Sequence, residues 1–259
     1  MHAAERERLI LKLMDERGFI AFQDLDKLMD ASPATLRRDL DKLESAGRIV
    51  RVRGGAQLPE AAAKPDVPRL RGAPFNENVE RHRAAKEAIG RAAAALCKPR
   101  ESVIIDGGST TLQMCPHLAS LELQVLSNSL HIIEALLPQA STRVAIPAGM
   151  VFREQNIVLS PFEDDGMSRY RASRMFMGAA AIGAHGIMQA DLVLAQAERR
   201  LFERAAELVV LVDSSKFEAP AGHGAFELAD IDIIVTDPGI KPAHRKMLNA
   251  AGIEVVIAE

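Results

Sequence analysis

Two cysteines are too few, and too far apart as Cys97 and Cys115, to make a disulfide framework or a short metal-ligand pair. The seven histidines (His2, His82, His117, His131, His185, His223 and His244) are scattered, and none pairs with another at helical ligand spacing. No metal and no cofactor is therefore expected. Apolar runs are all short of the roughly 18–20 residues that cross a bilayer. Met1–Glu5 leads straight into charged residues rather than a secretory leader. The expectation is a soluble, cytoplasmic chain with no membrane contact. Also missing are Gly-x-Ser-x-Gly, a Gly-Lys-Ser/Thr phosphate loop and His-Glu-x-x-His, which removes the usual hydrolase, nucleotidase and zinc-protease signatures. No repeat of 20–50 residues is present. Nor is there an excess of positive charge: 32 Lys and Arg stand against 35 Asp and Glu, a net charge of −3. Residues 1–58 hold 11 Lys and Arg against 10 Asp and Glu, so a small basic module can sit inside an acidic chain.

What is present begins at Ser32-Pro33-Ala34-Thr35-Leu36-Arg37-Arg38-Asp39-Leu40-Asp41-Lys42-Leu43. Ser32 can cap a helix through its hydroxyl. Pro33 suits the first helical position, where its missing N–H costs nothing. At about 100° per residue, Leu36, Leu40 and Leu43 share a stripe. Ala34, Arg38 and Lys42 lie roughly opposite, with Thr35 and Arg37 on the flanks. A small residue, hydroxyls and cations on one face suit a helix that enters the major groove of DNA. They equally suit a plain amphipathic surface helix, and the neighbours decide between the two. Helices are expected over Glu5–Arg17 and Gln23–Met29, with an extended piece at Phe19–Phe22. After Gly47, Arg48–Gly55 combines Ile49, Val50 and Val52 with Arg48, Arg51 and Arg53, then two glycines for a tight turn. That is a basic β-wing. Residues 1–58 thus form a winged helix-turn-helix, with Ser32, Thr35, Arg37, Arg38, Lys42, Arg51 and Arg53 as candidate DNA contacts. Residues 59–74 hold four of the 13 prolines and read as an extended linker.

From residue 75 to 259 short apolar runs alternate with helices, which indicates an α/β effector domain with a mainly parallel sheet. Strands are expected at Val103–Ile105, Gln124–Leu126, Arg143–Ile146, Met175–Met177, Leu208–Val212, Ile233–Val235 and Val255–Ile257. Helices are expected at Arg81–Cys97, Leu130–Leu137, Asp191–Ala206 and Lys241–Ala250. Ligands of such folds bind at the C-terminal strand ends. Three ends carry suitable groups: Asp106-Gly107-Gly108-Ser109-Thr110-Thr111 before a helix through Leu118, Ser127-Asn128-Ser129, and Asp213-Ser214-Ser215-Lys216. Backbone N–H groups, hydroxyls and a lysine suit a phosphate. Each alone is ordinary turn chemistry, but three on one sheet point to a phosphorylated small molecule. The candidate effector residues are Asp106, Gly107, Gly108, Ser109, Thr110, Thr111, Asn128 and Lys216.

These motifs resemble the DeoR family of bacterial regulators. The Ser32–Leu40 segment with Leu43, Gly47 and Arg51-Val52-Arg53-Gly54-Gly55-Ala56 is similar to the family's winged helix-turn-helix. The three strand-end motifs, and Lys86, are similar to its effector domain. Gly108-Ser109-Thr110, Ser160-Pro161 and Leu208–Lys216 resemble in particular the members that regulate L-ascorbate 6-phosphate utilisation. The resemblance implies an effector domain like ribose-5-phosphate isomerase and coenzyme A transferase folds, a sugar-phosphate effector, operator DNA as partner and a homodimer or homotetramer. The chain departs from the family at Ser109, at Pro147-Ala148-Gly149 and at Glu198, where many members have lysine. The expected function is a repressor of a carbohydrate-utilisation operon, released by a phosphorylated sugar or sugar acid, without enzymatic activity. The competing reading is a sugar-phosphate isomerase with an accessory DNA-binding module. The basic wing and capped helix, which an isomerase does not need, favour the repressor.

Overall fold

A computed structural model describes residues 3–17, 19–29, 31–52, 54–57, 75–160, 165–219 and 222–259. Arg53, Pro161 and the expected linker at 59–74 lie outside the described residues. The chain divides into two compact units, Met1–Pro68 and Arg69–Glu259.

In the first unit, α1 (Ala3–Arg17), β1 (Phe19–Ala21), α2 (Phe22–Leu28) and α3 (Pro33–Ser45) precede a hairpin of β2 (Val50–Val52) and β3 (Gly55–Gln57). The strands pair antiparallel in the order β1-β3-β2. Ile10, Met14, Leu25, Leu36, Leu40, Leu43 and Ile49 form one buried cluster, as the helical spacing requires. Gly54, at the hairpin turn, has φ +89°, a conformation that side-chain-bearing residues rarely adopt. This is a winged helix-turn-helix.

The second unit opens with α4 (Phe75–Glu80) and α5 (Arg83–Ala94). The helix expected from Arg81 starts at Arg83 instead, because His82 takes left-handed φ and ψ of 52° and 36°, and the short α4 before it was not expected. The main sheet comprises β4 (Ser102–Ile105), β5 (Gln124–Leu126), β6 (Arg143–Ala145), β9 (Ala172–Met177), β12 (Ala205–Leu211), β14 (Ile233–Thr236) and β15 (Glu254–Ile257). Their order is β15-β14-β12-β9-β4-β5-β6, and every pairing is parallel. Alternate residues of each strand serve the two faces. Val103, Ile105, Phe176, Val209 and Leu211 pack on one side, and Ile104, Met175, Met177, Leu208 and Val210 on the other. Helices on both faces explain why the strands read as continuous apolar runs. Between these strands lie α6 (Leu130–Leu136), α7 (Leu192–Phe202) and α8 (Pro242–Ala250). Two further sheets went unexpected: the hairpin β7 (Met150–Phe152) and β8 (Ile157–Leu159), and the trio β10 (Ala181–Gly183), β11 (Gly186–Gln189) and β13 (His223–Phe226). Their strands of three or four residues are too brief for a period-2 pattern to register.

Both cysteines are free and buried in the same core cluster, and burial pushes each thiol up to about 12. Among the described residues no helix is long and apolar enough to cross a membrane. No group of three His, Cys, Asp or Glu among them could hold a metal ion.

Candidate functional site

The exposed face of α3 begins at its cap. Ser32 Oγ accepts the Thr35 N–H at 3.2 Å and lies 2.9 Å from Thr35 Oγ1. Both candidate hydroxyls therefore build the helix start. Arg37 and Arg38 are exposed, and the Arg37 guanidinium lies 5.2 Å from the centre of the Phe22 ring. Asp39, between these cations and Leu40, turns inward and takes two hydrogen bonds from Arg6, at 2.7 and 3.2 Å. The remaining cations are tethered. Lys42 Nζ donates to Glu7 at 2.6 Å, and Arg51 pairs with Asp41. The candidate Arg53 is outside the described residues.

In the second unit a cavity of about 270 Å³ opens at the C-terminal end of β4. Asp106, Gly107, Gly108, Ser109, Thr110 and Lys216 all line it. Among the described residues, no hydrogen bond engages the N–H groups of Gly108, Ser109 and Thr110. Those donors remain available to an anion. The helix expected through Leu118 is a seven-residue 3₁₀ helix, Thr111–His117, capped by Leu118, and Pro116 within it has no N–H to donate. Gly107 is required by close approach: a Cβ there would fall 2.7 Å from Ile157 Cγ2.

Two candidates do not line this cavity. Thr111 is fully buried, and its hydroxyl donates to the carbonyls of Asp106 and Gly108 at 2.8 and 3.0 Å. Asn128 stands behind the loop, donating to Asp106 Oδ1 at 2.8 Å and accepting the Gly107 N–H at 3.0 Å. The flanking serines are likewise inward. Ser127 Oγ donates to the Ile105 carbonyl at 2.6 Å, and Ser129 caps α6. At the third strand end, Asp213 caps the turn and Ser214 is held by Asp237, so only Lys216 reaches the cavity.

The cavity also recruits residues that carry no motif. Phe75 and Asn78 come from α4, Arg81 from just beyond it, Gln189 from β11 and Glu198 from α7. Lys86 is buried with its ammonium on the Asn78 carbonyl, which anchors α4. Burial holds the Lys86 ammonium below its ordinary value, with Lys216 and Arg81 adding and Asp213 opposing. Burial pushes the Asp106 carboxyl up to about 6, against the pull of hydrogen bonds from Asn128 and the Gly107 N–H. Glu198 is raised well above the carboxylate range, first by burial and then by the Asp106 charge.

A sequence profile described as the DeoR C terminal sensor domain matches residues 81–238, and one described as the DeoR-like helix-turn-helix domain matches 6–62. The chain belongs to the DeoR family. The HTH-type transcriptional regulators UlaR of Shigella dysenteriae serotype 1 and of Escherichia coli K12 are each 32% identical to this DeoR-family chain over 257 residues. In each case the match covers 99% of both chains. It is a transcriptional regulator, and the competing isomerase reading falls with that membership. Among solved structures, a ribose 5-phosphate isomerase A from Methanocaldococcus jannaschii aligns over 55% of each chain at 17% identity, with a TM-score of 0.39. An eIF2B beta from Chaetomium thermophilum aligns over 61% of this chain and 50% of that one at 15% identity, with a TM-score of 0.41.

Proposed function

We propose that this DeoR-family regulator represses a carbohydrate-utilisation operon and is released from its operator by a phosphorylated sugar or sugar acid. The observation that carries the reading is the convergence, on one cavity, of the Gly108–Thr110 N–H groups, the Ser109 and Thr110 hydroxyls and Lys216. Together they can bind a phosphate, with Arg81 as a further cation. Asp106 and Gly107 shape the loop, Asn128 holds it in place, and Thr111 anchors its end.

On the DNA side, Arg37 and Arg38 make the specific contacts, with Thr35 beside them and Ser32 setting the helix start. Lys42, Arg51 and Arg53 meet the backbone, the first two once DNA phosphates displace Glu7 and Asp41. The working boundaries are 1–58 for the reader, 59–74 for the linker and 75–259 for the sensor. Binding as a homodimer or homotetramer, in the cytoplasm, supplies the second half-site that one short helix lacks. Calorimetry with a panel of four- to six-carbon sugar phosphates tests the site. Thr110→Val and Lys216→Ala should each lose binding of whichever phosphate the wild type takes, while mobility shifts on operator DNA stay intact. If both variants bind the phosphate as the wild type does, the site lies elsewhere.

A further inference from the structure

We propose that Asp106 and Glu198 form a subsite for an uncharged, hydroxyl-bearing end of the effector and exclude a second anion there. The inference rests on the sugar-phosphate reading of the cavity and narrows it. Both carboxyls line the cavity while each residue is only 4% exposed. Half of their capacity is fixed by protein. Asp106 Oδ1 accepts from Asn128 Nδ2 at 2.8 Å, and Glu198 Oε1 accepts from Gln189 Nε2 at 2.7 Å. Glu198 Oε2 is buried with no hydrogen-bond partner among the described residues. An unpaired buried polar atom on the wall of a cavity is completed by whatever enters.

Among the described residues no cation pairs with either carboxyl. The two arginines that follow Glu198 on α7 are directed elsewhere: Arg199 lies 5.7 Å over the Phe226 ring, and Arg200 donates to the Ser160 carbonyl at 3.2 Å. Arg81 and Lys216 are the other charges lining the cavity, and among the described residues neither forms an ion pair with Asp106 or Glu198. Two buried carboxyls sharing a site do not both ionise. One proton therefore stays with the pair near neutral pH, since burial raises both carboxyls. The subsite carries one negative charge, a proton shared between the two carboxyls, whose side chains are hydrogen-bonded to each other, and remaining acceptor oxygens. A hydroxyl meets all of these, whereas a carboxylate would set a second negative charge beside the first where water is scarce.

The test is calorimetry on the full-length protein with matched pairs: erythritol 4-phosphate against 4-phosphoerythronate, ribitol 5-phosphate against 5-phosphoribonate, and glucitol 6-phosphate against 6-phosphogluconate. In whichever pair binds, the alcohol should bind at least about tenfold tighter near neutral pH, equivalent to about 1.4 kcal/mol. Below the Asp106 value of about 6 the pair becomes fully protonated and the gap should narrow, with phosphate titration cancelling between partners. Glu198→Gln, the amide analogue of the protonated acid, should keep the gap. Binding with equal or reversed preference, a gap that does not narrow in acid, or a gap that collapses in Glu198→Gln overturns the subsite and leaves the phosphate site standing. Failure of every member to bind overturns both.

Discussion

Asp39 and its neighbours divide the labour of a short motif between fold and function. Arg37 and Arg38 are exposed, whereas the acid beside them is tied to Arg6 on α1. Arg37→Ala and Arg38→Ala should each weaken operator binding by about 1–3 kcal/mol without loss of folding, as contacts to bases or desolvated phosphates do. Mobility shifts that match the wild type for both would remove α3 from the DNA interface. Asp39→Asn should instead lower the melting temperature of the first unit, because Arg6 loses the charge of a carboxylate it pairs with. Asp106 supplies a different signature. Its folded value of about 6 lies above its ordinary 3.8, so the native state holds more protons than the unfolded chain between those values. The Asp106 contribution must then fall as pH rises from about 4 to 6, by on the order of 2–3 kcal/mol, and Glu198, raised as well, adds a fall of its own that continues above. Asp106→Asn should remove the Asp106 share of that slope and leave the Glu198 share. The only tyrosine, Tyr170, belongs to the second unit and is half-buried, its hydroxyl donating to the Val103 and Gln124 carbonyls. Its fluorescence in urea titrations at several pH values follows this unit alone, and an unchanged slope in the variant would assign the effect elsewhere.

At the scale of elements, the parallel strands were legible because both faces of each are buried, so apolar runs bounded by turn residues survive in the sequence. The cap at Ser32 and the wing glycines were legible for the same local reason. What sequence could not show was the break at His82, a backbone choice without a residue signature, or the 3₁₀ geometry after Thr110. Most of the cavity wall was equally hidden. Gln189 and Glu198 arrive from a brief hairpin and a helix face through tertiary packing, and only Glu198 was noticed, as a departure from the family. Helix α5 packs on that 3₁₀ segment through Gly90. A Cβ at that position would lie 2.5 Å from the Gln113 backbone. Gly90→Ala, although favourable to helix propensity, should destabilise the second unit by about 1–3 kcal/mol through overpacking. Urea midpoints followed by tyrosine fluorescence measure it. A gain in stability would mean that the 3₁₀ segment yields easily.

For the whole molecule, a sensor that releases DNA must be coupled in both directions. Operator DNA should weaken effector binding by the same factor by which effector weakens operator binding, typically about 5–150-fold. Calorimetry of the effector with and without operator duplex reads that factor, and equal affinities would rule out a coupled switch. One feature of the cavity also decides where this protein can be cut. The family's sensor profile begins at residue 81 and ends at 238. Phe75 and Asn78 line the cavity upstream of that start, with the Phe75 ring stacked 4.0 Å from His131. Downstream of its end lie β15 at the sheet edge and Ala258 in the core. A fragment trimmed to homology would be open on one flank of its binding site and would bare an edge to aggregation. An autonomous sensor must begin no later than residue 75 and keep the chain through residue 258.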